Sequence, residues 1–275
     1  YNIVDRIYIA RLPEVGTAAL GAVGLCFPLI MIITAFANLF GSGGTPLFSI
    51  SRGMQENQKA QLIMDTSFTM VCVSGTVLMV LGLLFARPLL VIFGASEDGL
   101  GYAYPYMMIY LIGTVPSMIA TGMNPFINAQ GYAITGMLSV AIGAVANLLL
   151  DPLFIFVLGF GIKGAAIATV ISQFLSAAYV LLFLERKAEL KARLLGKKEL
   201  HSCREYAQNI ISLGTAGFIM QLTNSLVTIC CNNVLGVTGG DVYISVMTIV
   251  SSVRQMVETP IYAINEGTSP ILSYN

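Results

Sequence analysis

Apolar residues run along this chain in long, nearly unbroken stretches, separated by short clusters of Gly, Pro and charged residues. A membrane-spanning helix needs about 20 mostly apolar residues, and the pattern predicts eight. The first is Tyr1 to Ala10, closed by Arg11, Pro13 and Glu14. The second runs from Ala18 to Ser49, long enough to be bent at Pro28 and at the Gly41, Gly43, Gly44, Pro46 cluster. The third covers Ile63–Ile92, the fourth Tyr102–Ala129, the fifth Thr135–Leu158 and the sixth Ile162–Leu184. A charged stretch, Glu185 to Glu205, interrupts the series. The seventh and eighth are Ile210–Leu235 and Val242–Ser273.

Composition excludes most alternatives to a membrane protein. Only 10% of the 275 residues are charged, against about 25% in soluble domains, and mean hydropathy is +0.80. A soluble domain could not cover its surface with so few charges. The 14 basic and 14 acidic residues cancel, which argues against a nucleic-acid binder. Five cysteines show no CxxC or Cys/His spacing, and the single histidine, His201, lies in the charged stretch. Neither a disulfide framework, a zinc site nor His-based catalysis is expected. The chain opens at Tyr1 inside an apolar pattern, which reads as the interior of a longer protein.

Alternating the connections between two sides places nine Lys and Arg on one side, including those of the Glu185–Glu205 stretch, and three on the other: Arg11, Arg87 and Lys163. The basic side is predicted to be cytoplasmic. A shift of 224 residues lays Gly43 on Gly267, Pro46 on Pro270, Ser49 on Ser273 and Gly16 on Gly240. Six helices is an even offset, so the copies run parallel. The predicted organisation is a first lobe at 1–184, a cytoplasmic linker at 185–208 and the start of a second lobe at 209–275, with about four helices to follow.

Ionisable groups inside a bilayer are costly and mark functional sites. Asp5 lies about seven residues, roughly 10 Å, from the outer end of its helix; its bland alternative is a salt pair with Arg6, which points another way. Asn147 and Asp151 are four apart and share a face at the same depth. Pro152 removes an N–H and displaces the carbonyl of Leu148, so an amide, a carboxylate and a free carbonyl collect where an oxygen-liganded cation or a proton could sit. An interhelical polar clamp is the alternative. Thr169 falls at the same depth, either in this site or as packing glue beside Ala165, Ala166 and Ala168. Arg254 and Glu258, four apart, read as a salt pair. Gln221, Asn224, Asn232 and Asn233 line a cavity or join helices, and Asp65 reads as an interfacial charge.

"NLLLDPLFIF" (Asn147–Phe156) followed by "GFGIKGAAIATVISQ" (Gly159–Gln173) resembles the helix five to six signature of MATE (multidrug and toxic compound extrusion) transporters. "NIVDRIYIARL" with "GTAALGAVGLCFP" is similar to that family's first two helices, and "GTSPILSYN" to the end of its eighth. The resemblance implies an all-α polytopic fold of twelve helices in two six-helix lobes, in a bacterial inner membrane. It implies a monomeric secondary transporter, not an enzyme, that exports organic, often cationic, drugs. Proton or sodium antiport drives export, with no other cofactor and no nucleic-acid partner. In the DinF-like and related branches, the resemblance carries the cation site onto Asp5, Asn147, Asp151 and Thr169, which would also be the metal ligands under sodium coupling. Gln221, Asn224, Arg254 and Glu258 remain candidates for lining the cargo cavity. Two features depart from the family: Gln221 stands where some members carry an acid, and Asn265-Glu266-Gly267 carries a charge near the inner mouth. The rival reading is a lipid or lipid-linked-sugar flippase of the related superfamily, which calls for a basic cavity.

Overall fold

The computed structural model describes residues 2–12, 15–196 and 203–274, and every regular element among them is helical. Pro13, Glu14, His201 and the side chain of Glu266 lie outside what is described. The elements are α1 (Asn2–Ile9), α2 (Gly16–Gly53), α3 (Asn57–Ile92), α4 (Glu97–Ile112), α5 (Thr114–Ala129), α6 (Ala133–Pro152) with a π-helical turn at Leu153–Val157, α7 (Gly161–Arg186) and α8 (Arg204–Tyr274). Among the described residues five helices are long and apolar enough to cross a membrane, six if the bent pair α4–α5 is one span. The protein is a multi-pass membrane protein.

Burial is inverted relative to a soluble fold. On α6 the buried residues are Gly136, Ser139, Gly143, Asn147 and Asp151, a helical stripe of small and polar side chains. Its apolar residues, such as Met137, Val140, Val145 and Leu149, face outward. On α3 the outward stripe is Val73, Val77, Val80 and Leu84. In a bilayer the lipid accepts the large apolar groups, and helices approach through small residues.

The central element is α2, buried along most of its length between α3, α4, α5 and α8. Its glycines permit this: Gly41 lies against the backbone of Gly122 on α5, and Gly43 against Gly214 on α8, with no room for a Cβ at either. α2 continues as one helix through both Pro28 and Pro46. Pro28 removes the N–H that would serve the Gly24 carbonyl, and the buried Asn232 side chain on α8 donates to that carbonyl at 3.5 Å. The missing bond is thus replaced from a neighbouring helix.

The predicted fourth helix is two helices, α4 and α5, meeting at 57° across Gly113. Pro116 cannot donate back to Ile112, and the small Gly113 lets Gln173 of α7 press into the break. Helices seven and eight are the two arms of α8, residues 204–239 and 241–274, separated at Gly240, whose φ of 64° and ψ of −162° suit glycine alone. Gly240 is the position that the 224-residue shift places on Gly16, the first residue of α2. Asp241, just past the break, accepts a 2.8 Å hydrogen bond from Ser96, which also caps α4 through the Gly99 N–H. The start of α4 and the break in α8 are thereby tied together.

Between Arg186 and Arg204 the described part of the linker does not loop away. Residues 191–196 run without regular structure along the end of α3 that carries Gln61 and Asp65. Asp65, near the start of α3, is 6% exposed, accepting from Gln61 and from the backbone N–H of Arg193 at 2.8 Å each.

Candidate functional site

Three elements bring Asp5, Asn147, Asp151 and Thr169 to one point. α1 supplies Asp5, the inner stripe of α6 supplies Asn147 and Asp151, and α7 supplies Thr169. All four are at most 1% exposed. Thr169 Oγ1 donates to Asp5 Oδ2 at 2.9 Å, sharing its hydrogen with the Ala165 carbonyl at 2.9 Å. Asn147 Nδ2 donates to Asp151 Oδ1 at 3.3 Å. The Asp5 carboxyl faces both Asp151 and Asn147. Three buried oxygens are left with no hydrogen-bond partner: Asp5 Oδ1, Asp151 Oδ2 and Asn147 Oδ1. A cluster of buried acceptors without donors can be satisfied by a proton, a cation or a water molecule.

Local structure explains why α6 carries this site. Pro152 cannot donate into the preceding turn, and the chain continues as a π turn, a feature that concentrates at functional sites. The disturbance expected around Pro152 therefore extends forward along the helix, which the sequence did not indicate. Gly164 of α7 accepts the turn closely, its Cα side lying against the Phe154 carbonyl.

Arg6 does not pair with Asp5. It turns the other way, donating to Ser252 Oγ at 2.7 Å and the Thr248 carbonyl at 3.4 Å on the second arm of α8, with its guanidinium 4.7 Å from the centre of the Phe27 ring. Consecutive residues of α1 thus contact the carboxylate cluster and the far arm of α8.

That arm borders a cavity of about 300 Å³ between α2 and both arms of α8, lined among others by Phe27, Met31, Gln221, Asn224, Arg254 and Glu258. Arg254 and Glu258 form an ion pair at 3.4 Å within it. A second cavity of about 560 Å³ lies between α2, α5 and the first arm of α8; Asn38, Asn124 and Asn128 line it, and it shares Gln221 with the first. Gln221 and Asn224 therefore face open space. Asn232 and Asn233 do not: they join helices, Asn232 to Gly24 and Asn233 to the Ile92 carbonyl at 2.9 Å. The sequence reading missed the Asn124–Asn128 pair, although its i, i+4 spacing inside an apolar helix was a usable signal.

Residues 1–153, more than half of the chain, match the MatE family model. The chain belongs to the MatE family. It is 26% identical over 275 residues to the multidrug export protein MepA of Staphylococcus haemolyticus, covering all of this chain and 60% of that protein. It is 28% identical over 199 residues, 70% of this chain and 43% of the relative, to an FAD transporter of Shewanella oneidensis. Among solved structures, the MATE multidrug transporter DinF-BH in complex with R6G superposes with a TM-score of 0.87 at 30% identity, covering all of this chain and 61% of that one. The chain spans about 60% of the length of the MepA relatives it matches.

Proposed function

We propose that this chain contributes the coupling-ion lobe and the start of the cargo lobe of a monomeric secondary transporter. It exports organic, mainly cationic, compounds by exchange with protons or sodium ions. The lobes are residues 1–184 and 209–275, joined by a cytoplasmic linker at 185–208. The observation that carries this reading is the set of three unpartnered oxygens on Asp5, Asn147 and Asp151 beside Thr169. One proton, or one dehydrated sodium ion, bridging the two carboxyls supplies the missing partner. The likeness to multidrug export proteins supports the choice of cargo, as does the acidic balance of Asp5, Asp151 and Glu258 against Arg6 and Arg254, which favours cations. Those relatives are named as export proteins rather than enzymes, and the proposed role requires no catalysis.

Arg6 connects the ion site to the cavity. Ion exchange at Asp5 alters how α1 sits on α6 and α7, and the Arg6 contacts with Thr248 and Ser252 carry that movement to the cavity wall. The flippase alternative is disfavoured because Arg6 is occupied by α8 and Arg254 by Glu258, leaving no basic cluster in the cavity for a pyrophosphate.

The test is gradient-driven efflux of a fluorescent organic cation by the transporter that carries this chain, reconstituted in vesicles. Asp5→Asn and Asp151→Asn are each expected to abolish efflux under an imposed proton or sodium gradient, with expression retained. Full efflux by both variants would remove these residues from the mechanism.

A further inference from the structure

The extended linker segment builds a site unrelated to the ion cluster. Gln61, Asp65 and Thr69 lie on one face of α3, four residues apart. Gln61 Nε2 donates to the Lys191 carbonyl at 2.5 Å, Asp65 Oδ1 accepts from the Arg193 N–H at 2.8 Å, and Thr69 Oγ1 accepts from the Leu195 N–H at 3.0 Å. Four helical residues rise about 6 Å and two extended residues about 6.6 Å, so the two periods stay in register along the contact. Gln130 Oε1 accepts from the Leu190 N–H at 3.0 Å, and Arg52 pairs with Glu189 at 2.5 Å. The segment is a strap fixed at five consecutive points.

Between the strap and the end of α7 lies a cavity of about 720 Å³ lined by Leu181, Leu184, Arg186, Lys191, Arg193 and Glu185, with Ala192. This volume falls within the roughly 300–1,000 Å³ of small-molecule sites. Its three cations face one carboxylate, and none of the three forms an ion pair among the described residues. Its apolar wall continues into α7, whose outer residues Phe174, Leu175 and Leu182 are exposed as a lipid-facing surface requires. Cationic side chains therefore line a hollow at the end of a spanning helix, with the half-buried Leu181 on its wall and the exposed Leu182 beside it.

We propose that this hollow binds the headgroup of an anionic phospholipid, its phosphate held by Arg186, Lys191 and Arg193 and its upper acyl chain lying on the half-buried Leu181 and the exposed Leu182 of α7. Basic pockets at a helix exit recognise such headgroups by charge-assisted bonds to phosphate. The strap is what makes the pocket: fixing alternate residues of an extended chain keeps Lys191 and Arg193 on one side. The site is peripheral, away from the cavities between α2 and α8, so it is a resident lipid site and not a translocation path. It stands whatever the transporter exports.

The test is native mass spectrometry of the purified transporter with phosphatidylglycerol or phosphatidylcholine. Wild-type protein is expected to retain phosphatidylglycerol selectively. Each lost cation near a membrane surface weakens anionic lipid binding about fivefold, so Lys191→Gln with Arg193→Gln should weaken it about 25-fold. The control removes equal charge from the same face outside the hollow, at Lys187→Gln with Arg204→Gln, and should lose far less. Equal loss in both double variants would replace the pocket with diffuse attraction and overturn the proposal. Equal retention of the two lipids by wild type would overturn it as well. Displacement of the lipid by millimolar inorganic phosphate would reassign the hollow to a free anion.

Discussion

Thr169→Val tests the ion site without disturbing its shape. Valine matches threonine in volume and branching, so the packing of α7 beside Ala165 and Ala168 is kept while the hydroxyl disappears. The substitution strips Asp5 Oδ2 of its 2.9 Å donor, leaving the buried carboxyl with Asp151 and Asn147 as its only side-chain neighbours in the cluster. A hydrogen bond to a charged group is worth about 1.5–3 kcal/mol. The Thr169 hydrogen is shared with the Ala165 carbonyl, so the lower end applies, and about 1.4 kcal/mol is tenfold in affinity. The assay is vesicle efflux at varied sodium concentration and varied pH. With sodium as the coupling ion, half-maximal activation moves about tenfold higher, because a ligand oxygen is lost. With protons, the pH midpoint of efflux moves by about one unit. Cargo affinity at saturating ion is unchanged in both cases. If neither midpoint moves by more than twofold, Thr169 only packs helices, and the donor role assigned to it is wrong.

Pro152→Ala should restore a bonding N–H, convert the π turn at Leu153–Val157 to α-helix and weaken ion dependence more than cargo binding; loss of cargo affinity alone would move Pro152 to the cavity. Leu194→Cys in a cysteine-free background should resist an impermeant thiol reagent applied to intact cells, as the proposed cytoplasmic placement of the linker demands; labelling from outside would invert the topology. Arg52 holds the Glu189 carboxyl below its ordinary value of 4.5, so the contribution of this pair is complete above that value and is lost as pH falls beneath it. Hydrogen exchange at the Leu190, Arg193 and Leu195 amides, corrected for intrinsic rate, should therefore accelerate in acid, and at neutral pH in Arg52→Gln. Glu189 is largely exposed, so the loosening stays within the strap; unchanged exchange in Arg52→Gln would show the pair to be idle.

The residues of the ion cluster were readable because membrane depth is linear in sequence. Counting from Gly159 and Ile162 places Asp151 and Thr169 level, and the structure brings both to Asp5. The gap left between the predicted helices Ile210–Leu235 and Val242–Ser273 contains the break at Gly240, where only the chain's own backbone is involved. Where a partner decides the outcome, the sequence was silent. At Pro28 the freed Gly24 carbonyl is served by Asn232, 204 residues further along the chain from Pro28. Gly113 lay within an apolar run, and the break there depends on Gln173 from another helix. The partner of Asp65 could not be read because it is the backbone of a charged stretch that carries no pattern of its own. Arg6 turns to α8 because the second arm places Ser252 and Thr248 within reach, a contact across 246 residues.

The central claim is that Asp5 and Asp151 form one site for one ion. Counting coupling ions bound by the purified transporter, as sodium bound and as protons taken up or released, tests it most directly. The account predicts one exchangeable ion per wild-type molecule, lost entirely in Asp5→Asn and lost entirely in Asp151→Asn. Two ions in the wild type with one lost in each variant, or near wild-type binding in either variant, would contradict it.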